Sequence, residues 1–358
     1  MKFRNKAVAA LLAVALCIPA AGCSGGDKSW AVKDSTTTVP IGAYIYNLYN
    51  AYSQADKKKT DSSKSVLDQK IENKDAKTWI RENALTSTKE LLLLDKKMKD
   101  MNLTLTDAEK KSASDMNTQI WGSYSSTFEK FGIAQSSFET AYGSAFEKER
   151  KIFDATYGKG GKQAVSDADL KSYYTKNYTD FSYIGCILYK QKSDGSYDSA
   201  LTDAQKKSAK AVLDGYASQI KAGKMTIRQA ADAYKTAQKS TTDELYTDSV
   251  NLTTDTNYPT AMKTALKGMK AGEVKALELT DQQMYMLLFK SDVNKSADTK
   301  ISSESNRETL LLSYKSSEFL SALEKEADAL TGVTSNDSAL NSYDPKMFVS
   351  ASSSSSAS

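Results

Sequence analysis

Phe181-Ser182-Tyr183-Ile184-Gly185-Cys186-Ile187-Leu188-Tyr189 is rich in β-branched and aromatic residues, and it stands in the middle of a chain otherwise patterned for helix. Such composition reads as a strand. Two further strand-like runs follow, Val274 to Leu279 and Met284 to Phe289. Between them and the first lie helical patterns from Asp203 to Lys221 and from Thr226 to Ala237, a polar stretch from Thr241 to Thr256, and a short helix opening at Pro259. One strand, several helices and two more strands make a small α+β module over 179–296, within the ordinary size range of a domain.

Working outward, helix signals dominate. Upstream, Ser166 caps a short helix in the linker segment 165–178, and Gly158-Lys159-Gly160-Gly161 reads as a flexible break. Before that break, 39–164 is expected to be a helical domain. Ile41, Ile45, Leu48 and Tyr52 lie at helical spacing behind Pro40, and Trp79, Ile80, Ala84, Leu91, Leu94, Met98 and Met101 mark a second, longer helix in which Leu91 to Leu94 reads as buried all round. Capping-box pairs mark helix starts at Thr106 with Glu109, Ser136 with Glu139, Thr202 with Gln205 and Thr226 with Gln229. The pattern from Ser136 runs on through Phe138, Tyr142, Ala145, Phe146, Ile152 and Phe153 as one helix. Downstream, polar residues from Asp292 to Thr299 precede an amphipathic helix bearing Leu310, Tyr314, Leu320, Leu323, Ala327 and Leu330, so 297–335 is expected to return to the helical domain. Residues 336–358, ending SASSSSSAS, read as a polar, partly disordered tail. The fold class is therefore mainly α with a small inserted α+β module.

The amino terminus supplies an address. Lys2, Arg4 and Lys6 precede an apolar stretch that breaks at Pro19, too short to span a membrane, and Ala20-Ala21-Gly22-Cys23 closes it like a bacterial lipobox. Residues 1–22 are expected to be removed as a signal peptide, Cys23 to carry the lipid (diacylglyceryl, with palmitate-type acylation), and 23–38 to form a flexible tether. Cleavage removes three of 48 basic side chains against 44 acidic ones, so the formal charge falls from +4 to +1 and no polyanion-binding argument survives. Nucleic acid is set aside as a partner. With Cys17 removed and Cys23 acylated, Cys186 is left without a disulfide partner.

The chain has no His at all, which excludes His-containing triads and His-ligated metal sites. Asp167, Asp169 and Asp203 read as helix-cap carboxylates rather than an acid–base pair, and Lys57-Lys58-Lys59 as a solvated face. Gly158 to Gly161 lacks the Lys-Ser/Thr of a phosphate loop. No cofactor and no metal is implied.

The order of parts, together with Val165-Ser166-Asp167 through Tyr174 and the step Leu266-Lys267-Gly268-Met269-Lys270-Ala271-Gly272-Glu273-Val274, resembles the extracytoplasmic foldases of the PrsA and SurA type. In that family a parvulin-like prolyl isomerase module is inserted into a helical chaperone domain built from both ends of the chain. The resemblance places Cys186 where the family's first strand carries His, and Tyr285, or Met286 with a one-residue slip, where the last strand carries a second His. Thr241-Thr242-Asp243-Glu244-Leu245 stands in for the family's glycine-rich stretch without a glycine. Tyr258 and Met262 fall at the family's apolar prolyl pocket. The resemblance implies a chaperone of unfolded or newly exported polypeptides in the bacterial cell envelope, held to the cell membrane (or an outer membrane) through Cys23. Its isomerase activity would be weak or absent. The competing readings are an active isomerase working without His, a solute-binding lipoprotein with two strand–helix lobes, and a structural envelope lipoprotein.

Overall fold

The computed structural model describes residues 27–349. In chain order it contains β1 (Trp30–Lys33), β2 (Thr38–Pro40), α1 (Ile41–Lys58), the two-residue strands β3 (Lys70–Ile71) and β4 (Lys74–Asp75), α2 (Ala76–Asp100), α3 (Asp107–Lys130), α4 (Gln135–Ala141) and α5 (Gly143–Tyr157). Then come α6 (Asp167–Asn177), β5 (Tyr178–Ile187), β6 (Tyr189–Gln191), β7 (Tyr197–Ala200), α7 (Asp203–Lys221), α8 (Ile227–Gln238), β8 (Tyr246–Asn251) and α9 (Thr260–Gly268). The chain closes with β9 (Val274–Leu279), β10 (Met284–Lys290), α10 (Val293–Ser302), α11 (Glu304–Asp328), β11 (Thr334–Ser335) and α12 (Asp337–Leu340). The protein is mostly helical with small sheets. It divides into two compact units: one holds the chain up to Glu149 and again from Leu323, the other Arg150–Ala322.

In the first unit α1 packs along α2. The stripe Ile45, Leu48, Tyr52 meets Trp79, Ile80 and Ala84 in one core, and Leu91 to Leu94 are all buried. Each fully buried side chain of this size contributes roughly 1.5–3 kcal/mol over leaving it in water. The buried Asn47 amide donates to Thr88 Oγ1 at 3.1 Å and Thr88 donates to the Ala84 carbonyl at 2.6 Å, so these two buried polar side chains are bonded. Tyr46, Phe128 and Phe138 meet with centroids 5.1–5.7 Å apart. Capping boxes form at Thr106, Thr202 and Thr226. Ser136 caps nothing. The helix there starts at Gln135 behind Ala134, and its pattern is broken at Tyr142 into α4 and α5. Gly143 explains the break: its N–H donates to Asn117 Oδ1 at 3.0 Å, and a Cβ on it would stand 2.5 Å from the Ala113 carbonyl oxygen, so α5 begins by pressing its backbone against α3.

Three expectations about connecting segments are corrected. The tether expected over 23–38 carries β1 and β2, with Ala31 and Val32 fully buried; β1 sits between β2 and β11 in a three-stranded antiparallel sheet. Its apolar run, Trp30-Ala31-Val32, is only three residues long, too short to stand out among Ser, Thr and Lys. The polar, partly disordered tail expected over 336–358 is built into the first unit in its described part, 336–349: Asn336 caps α12, Leu340 joins the core, and Phe348 is 1% exposed with its ring 4.8 Å from that of Phe131. The break expected at Gly158 to Gly161 is a bonded turn inside the second unit, where Gly161 N–H donates to Gly158 O at 3.0 Å and Val165 N–H to Tyr157 O at 3.0 Å. Cys23 and the rest of the signal segment lie outside the described residues.

In the second unit β8, β5, β10 and β9 form, in that order, an antiparallel four-stranded sheet. The strand expected from Phe181 begins at Tyr178, and β8 falls in the stretch read as polar, because a half-exposed edge strand of Thr, Asp, Ser and Asn lacks the apolar run that marks a strand. Alternation splits β5 between the two faces. Ile184, Cys186 and Leu188 pack with Leu213, Ala217, Ala230, Ala231 and Tyr234 of α7 and α8. Phe181 and, partly, Tyr183 pack on the other side, with Met262, Ala265 and Leu266 of α9. The segment from Asp292, read as polar, is α10, capped by its own first Asp and tied to α6 by Lys171–Asp298 at 2.7 Å.

Candidate functional site

The sheet register decides which expected site residues meet. Cys186 on β5 lies directly opposite Tyr285 on β10, and Gly185 opposite Met286. Cys186 and Tyr285 therefore share the α7–α8 face, while Met286, 2% exposed, projects to the α9 face and fills its core. Met262 is 1% exposed in that same core. Tyr258 is half-buried at the rim of the α9 face. The five residues thus fall on two sides of one sheet.

On the α7–α8 face the groups are held, not poised. The Cys186 thiol is 6% exposed, and burial pushes it above the usual thiol range; a hydrogen bond from the Tyr285 backbone and the Lys210 charge offset only part of that. The Tyr285 hydroxyl donates to Asp214 Oδ1 of α7 at 2.5 Å rather than reaching across to Cys186. Burial first, and then the bond to Asp214, hold its phenol in the protonated form. Lys210, one turn before Asp214, bonds Glu278 at 2.5 Å and lies 5.5 Å from the centre of the Tyr285 ring. A thiol and a phenol both raised in this way offer neither a nucleophile nor a base near neutral pH. Among the described residues no group of three or more Cys, Asp or Glu is arranged to hold a metal ion.

The α9 face is different in character. α9 covers only part of it, over Phe181, Val250, Leu279 and Leu288. Beyond α9, β5 presents Tyr183, Gly185 and Ile187 by alternation, with Tyr246 of β8 beside Tyr183 and Met284 of β10 opposite Ile187. The Tyr183 and Tyr246 rings lie 4.9 Å apart, and the Tyr258 ring stands edge-on to Phe181 at 5.2 Å. Tyr246 is 44% exposed and Ile187 37% exposed. Gly185 leaves a notch in this surface: a Cβ there would sit 3.4 Å from Met284 Sδ and 3.5 Å from Tyr183 Cε2, so its absence opens the gap between them. β8 pairs with β5 only from Tyr178 to Tyr183, so among the described residues no strand pairs with that edge of β5 beside the notch.

Asp248 organises the rim. It accepts hydrogen bonds from the Tyr258 hydroxyl and, at 3.0 Å, from the Tyr246 hydroxyl. Burial works against its charge, but the bonds from Tyr258, the Ser249 amide and Tyr246 outweigh it and hold the carboxyl below its usual range. The same burial and the same carboxylate raise the Tyr258 phenol. Two tyrosines are thereby fixed by their tips with their rings turned to the apolar surface. Behind the rim, Asp248 also lines a cleft of about 180 Å³ with Tyr174, Tyr178, Ser249, Lys300 and Leu310.

The sequence pointed to Tyr258 but missed Tyr183, Tyr246, Ile187 and Met284. Odd-numbered alternation along β5 carried the signal for Tyr183 and Ile187; Tyr246 had none, because β8 itself was not legible.

No family model matches the chain, and no curated protein does. Among solved structures it is similar to the foldase protein PrsA from Lactococcus lactis, at 16% identity over 90% of this chain and 98% of that one, with a TM-score of 0.36. It is also similar to the foldase protein PrsA from Streptococcus pneumoniae, at 16% identity over 75% of this chain and 89% of that one, with a TM-score of 0.38.

Proposed function

We propose that this protein is a lipid-anchored, extracytoplasmic chaperone that assists the folding of exported polypeptides, with weak or absent prolyl isomerase activity. The observation that carries this reading is the partly uncovered α9 face of the four-stranded sheet. Tyr183, Tyr246, Ile187 and Met284 surround a notch at Gly185, and the unpaired edge of β5 runs beside it. An extended, unfolded segment laid there meets rings, a deformable thioether and free backbone groups, none of which demands a particular sequence. The sheet separates this surface from Cys186 and Tyr285, so a proline held against the notch is out of reach of both groups. The anchor at Cys23 would concentrate the surface where chains emerge.

The test uses a soluble chain beginning at Ser24 and an unfolded client that aggregates on dilution. Suppression at equimolar amounts is expected, and the combined substitution Tyr246→Ser, Ile187→Ser and Met284→Ser is expected to remove most of it while leaving the helical circular dichroism unchanged. No suppression by the unsubstituted chain contradicts the function; full suppression by the triple variant contradicts the site.

A further inference from the structure

Asp27 is the first described residue, and the fold grips the chain from that point. The Asn336 side-chain nitrogen donates to both the Asp27 carbonyl at 2.7 Å and the Trp30 carbonyl at 3.1 Å, Ile41 N–H donates to the Ser29 carbonyl at 2.9 Å, and Lys28 Nζ donates to Ser342 Oγ at 2.9 Å. One amide thus ties the start of β1 to the residues just before it. Only three residues, Ser24, Gly25 and Gly26, separate Cys23 from Asp27. At about 3.3–3.6 Å per residue for a fully extended chain, Asp27 lies no more than about 14 Å from an acylated Cys23. A bilayer's headgroup region is roughly 5–8 Å deep on each side of the hydrocarbon. A linker of that reach leaves the unit little room to stand away from the surface.

The residues at this end suit the place. Trp30 is half-buried, with the Lys33 ammonium 4.4 Å from its ring centre, and Lys33 is exposed. An indole with one apolar body and one polar edge prefers the headgroup layer, and a neighbouring ammonium can meet lipid phosphate. We infer that the β1 end of the first unit, through Trp30 and Lys33, is a bilayer-contacting surface that seats the protein on phospholipid headgroups. This rests on the reading of Cys23 as the lipid anchor. Asp27 and Asp34 flank the two residues, so the surface is not a polybasic patch and its seating does not depend on anionic lipid.

The experiment reconstitutes the full lipidated chain into phosphatidylcholine vesicles, plain or carrying bromine on the acyl chains close to the headgroups, and reads tryptophan emission. Trp79 is 4% exposed and Trp121 packs against the core, so both report the protein interior. The expected result is lower emission in brominated than in plain vesicles, with the difference lost in Trp30→Phe. Mass spectrometry of the same sample reads the modification of Cys23. Equal emission in the two vesicles with a diacylglyceryl group on Cys23 overturns this inference alone; an unmodified Cys23 overturns the anchor and the inference with it.

Discussion

Cys186 and Tyr285 show what a strand position does to chemistry. The family resemblance matched Cys186 and Tyr285, or Met286 with a one-residue slip, to two facing positions, and the register sets Tyr285 opposite Cys186. The resemblance did not reveal that Asp214, 71 residues from Tyr285 along the chain, takes the phenol's hydrogen bond, because that contact depends on how α7 lies across the sheet. Burial raises the thiol, and a protonated thiol is a poor nucleophile. In a chain beginning at Ser24, Cys186 is the one cysteine left. A disulfide reagent such as DTNB is expected to modify it roughly a hundredfold more slowly in the native protein than in denaturant. A native rate matching the unfolded one contradicts the buried, protonated thiol. In a protease-coupled proline-peptide assay the same protein is expected to stay close to the uncatalysed rate, and a clear rate lost in Tyr285→Ala contradicts the separation of the two sheet faces.

Elements were legible where a local signal fixed them. Three Thr caps, the stripes of α1 and α2, and strands β9 and β10 could be read because each depends on residues a few positions apart. Ser136 misled because the helix opens one residue earlier, behind Ala134, and the run beyond it is broken where Gly143 presses against α3. β1 and β11 were invisible because they are only four and two residues long, and β8 because an edge strand of Thr, Asp, Ser and Asn lacks the apolar run that marks a strand. One contact between elements also carries a titration. Glu90 of α2 is hydrogen-bonded to Glu149 of α5, with Glu324 of α11 adding its charge. Burial, and then repulsion from Glu149, push Glu90 up to about 8, and burial raises Glu149 as well, so the pair shares a proton at neutral pH. A carboxyl raised on folding binds more protons folded than unfolded between its unfolded value and its folded one, so this pair stabilises least once pH passes above about 8. Glu90→Gln is therefore expected to raise the melting temperature by several degrees at pH 8.5 and to change it little at pH 5, read by thermal circular dichroism. An equal shift at both values contradicts the shared proton.

At the scale of the whole molecule, the carboxyl end joins the amino-terminal unit through particular contacts. β11 pairs with β1, Lys97 of α2 meets Glu326 of α11 at 2.6 Å, Thr86 donates to Asp328, and Phe348 enters the α1 core. The helical periodicity of 310–330 announced a segment in search of a partner; Phe348 was hidden behind a polar neighbourhood that read as tail. The proposed function depends on unfolded polypeptide settling on the α9 face of the second unit. Methyl-labelled isoleucine and methionine resolve this, because Ile187 and Met284 lie on that surface, Met262 and Met286 lie beneath it, and Ile220 and Met225 pack on the opposite side of the sheet. Titrating an unfolded client into the labelled protein and following methyl resonances is expected to shift Ile187 and Met284 first and most. Shifts confined to Ile220 and Met225, or no shift in any of them while the client is bound, would contradict it.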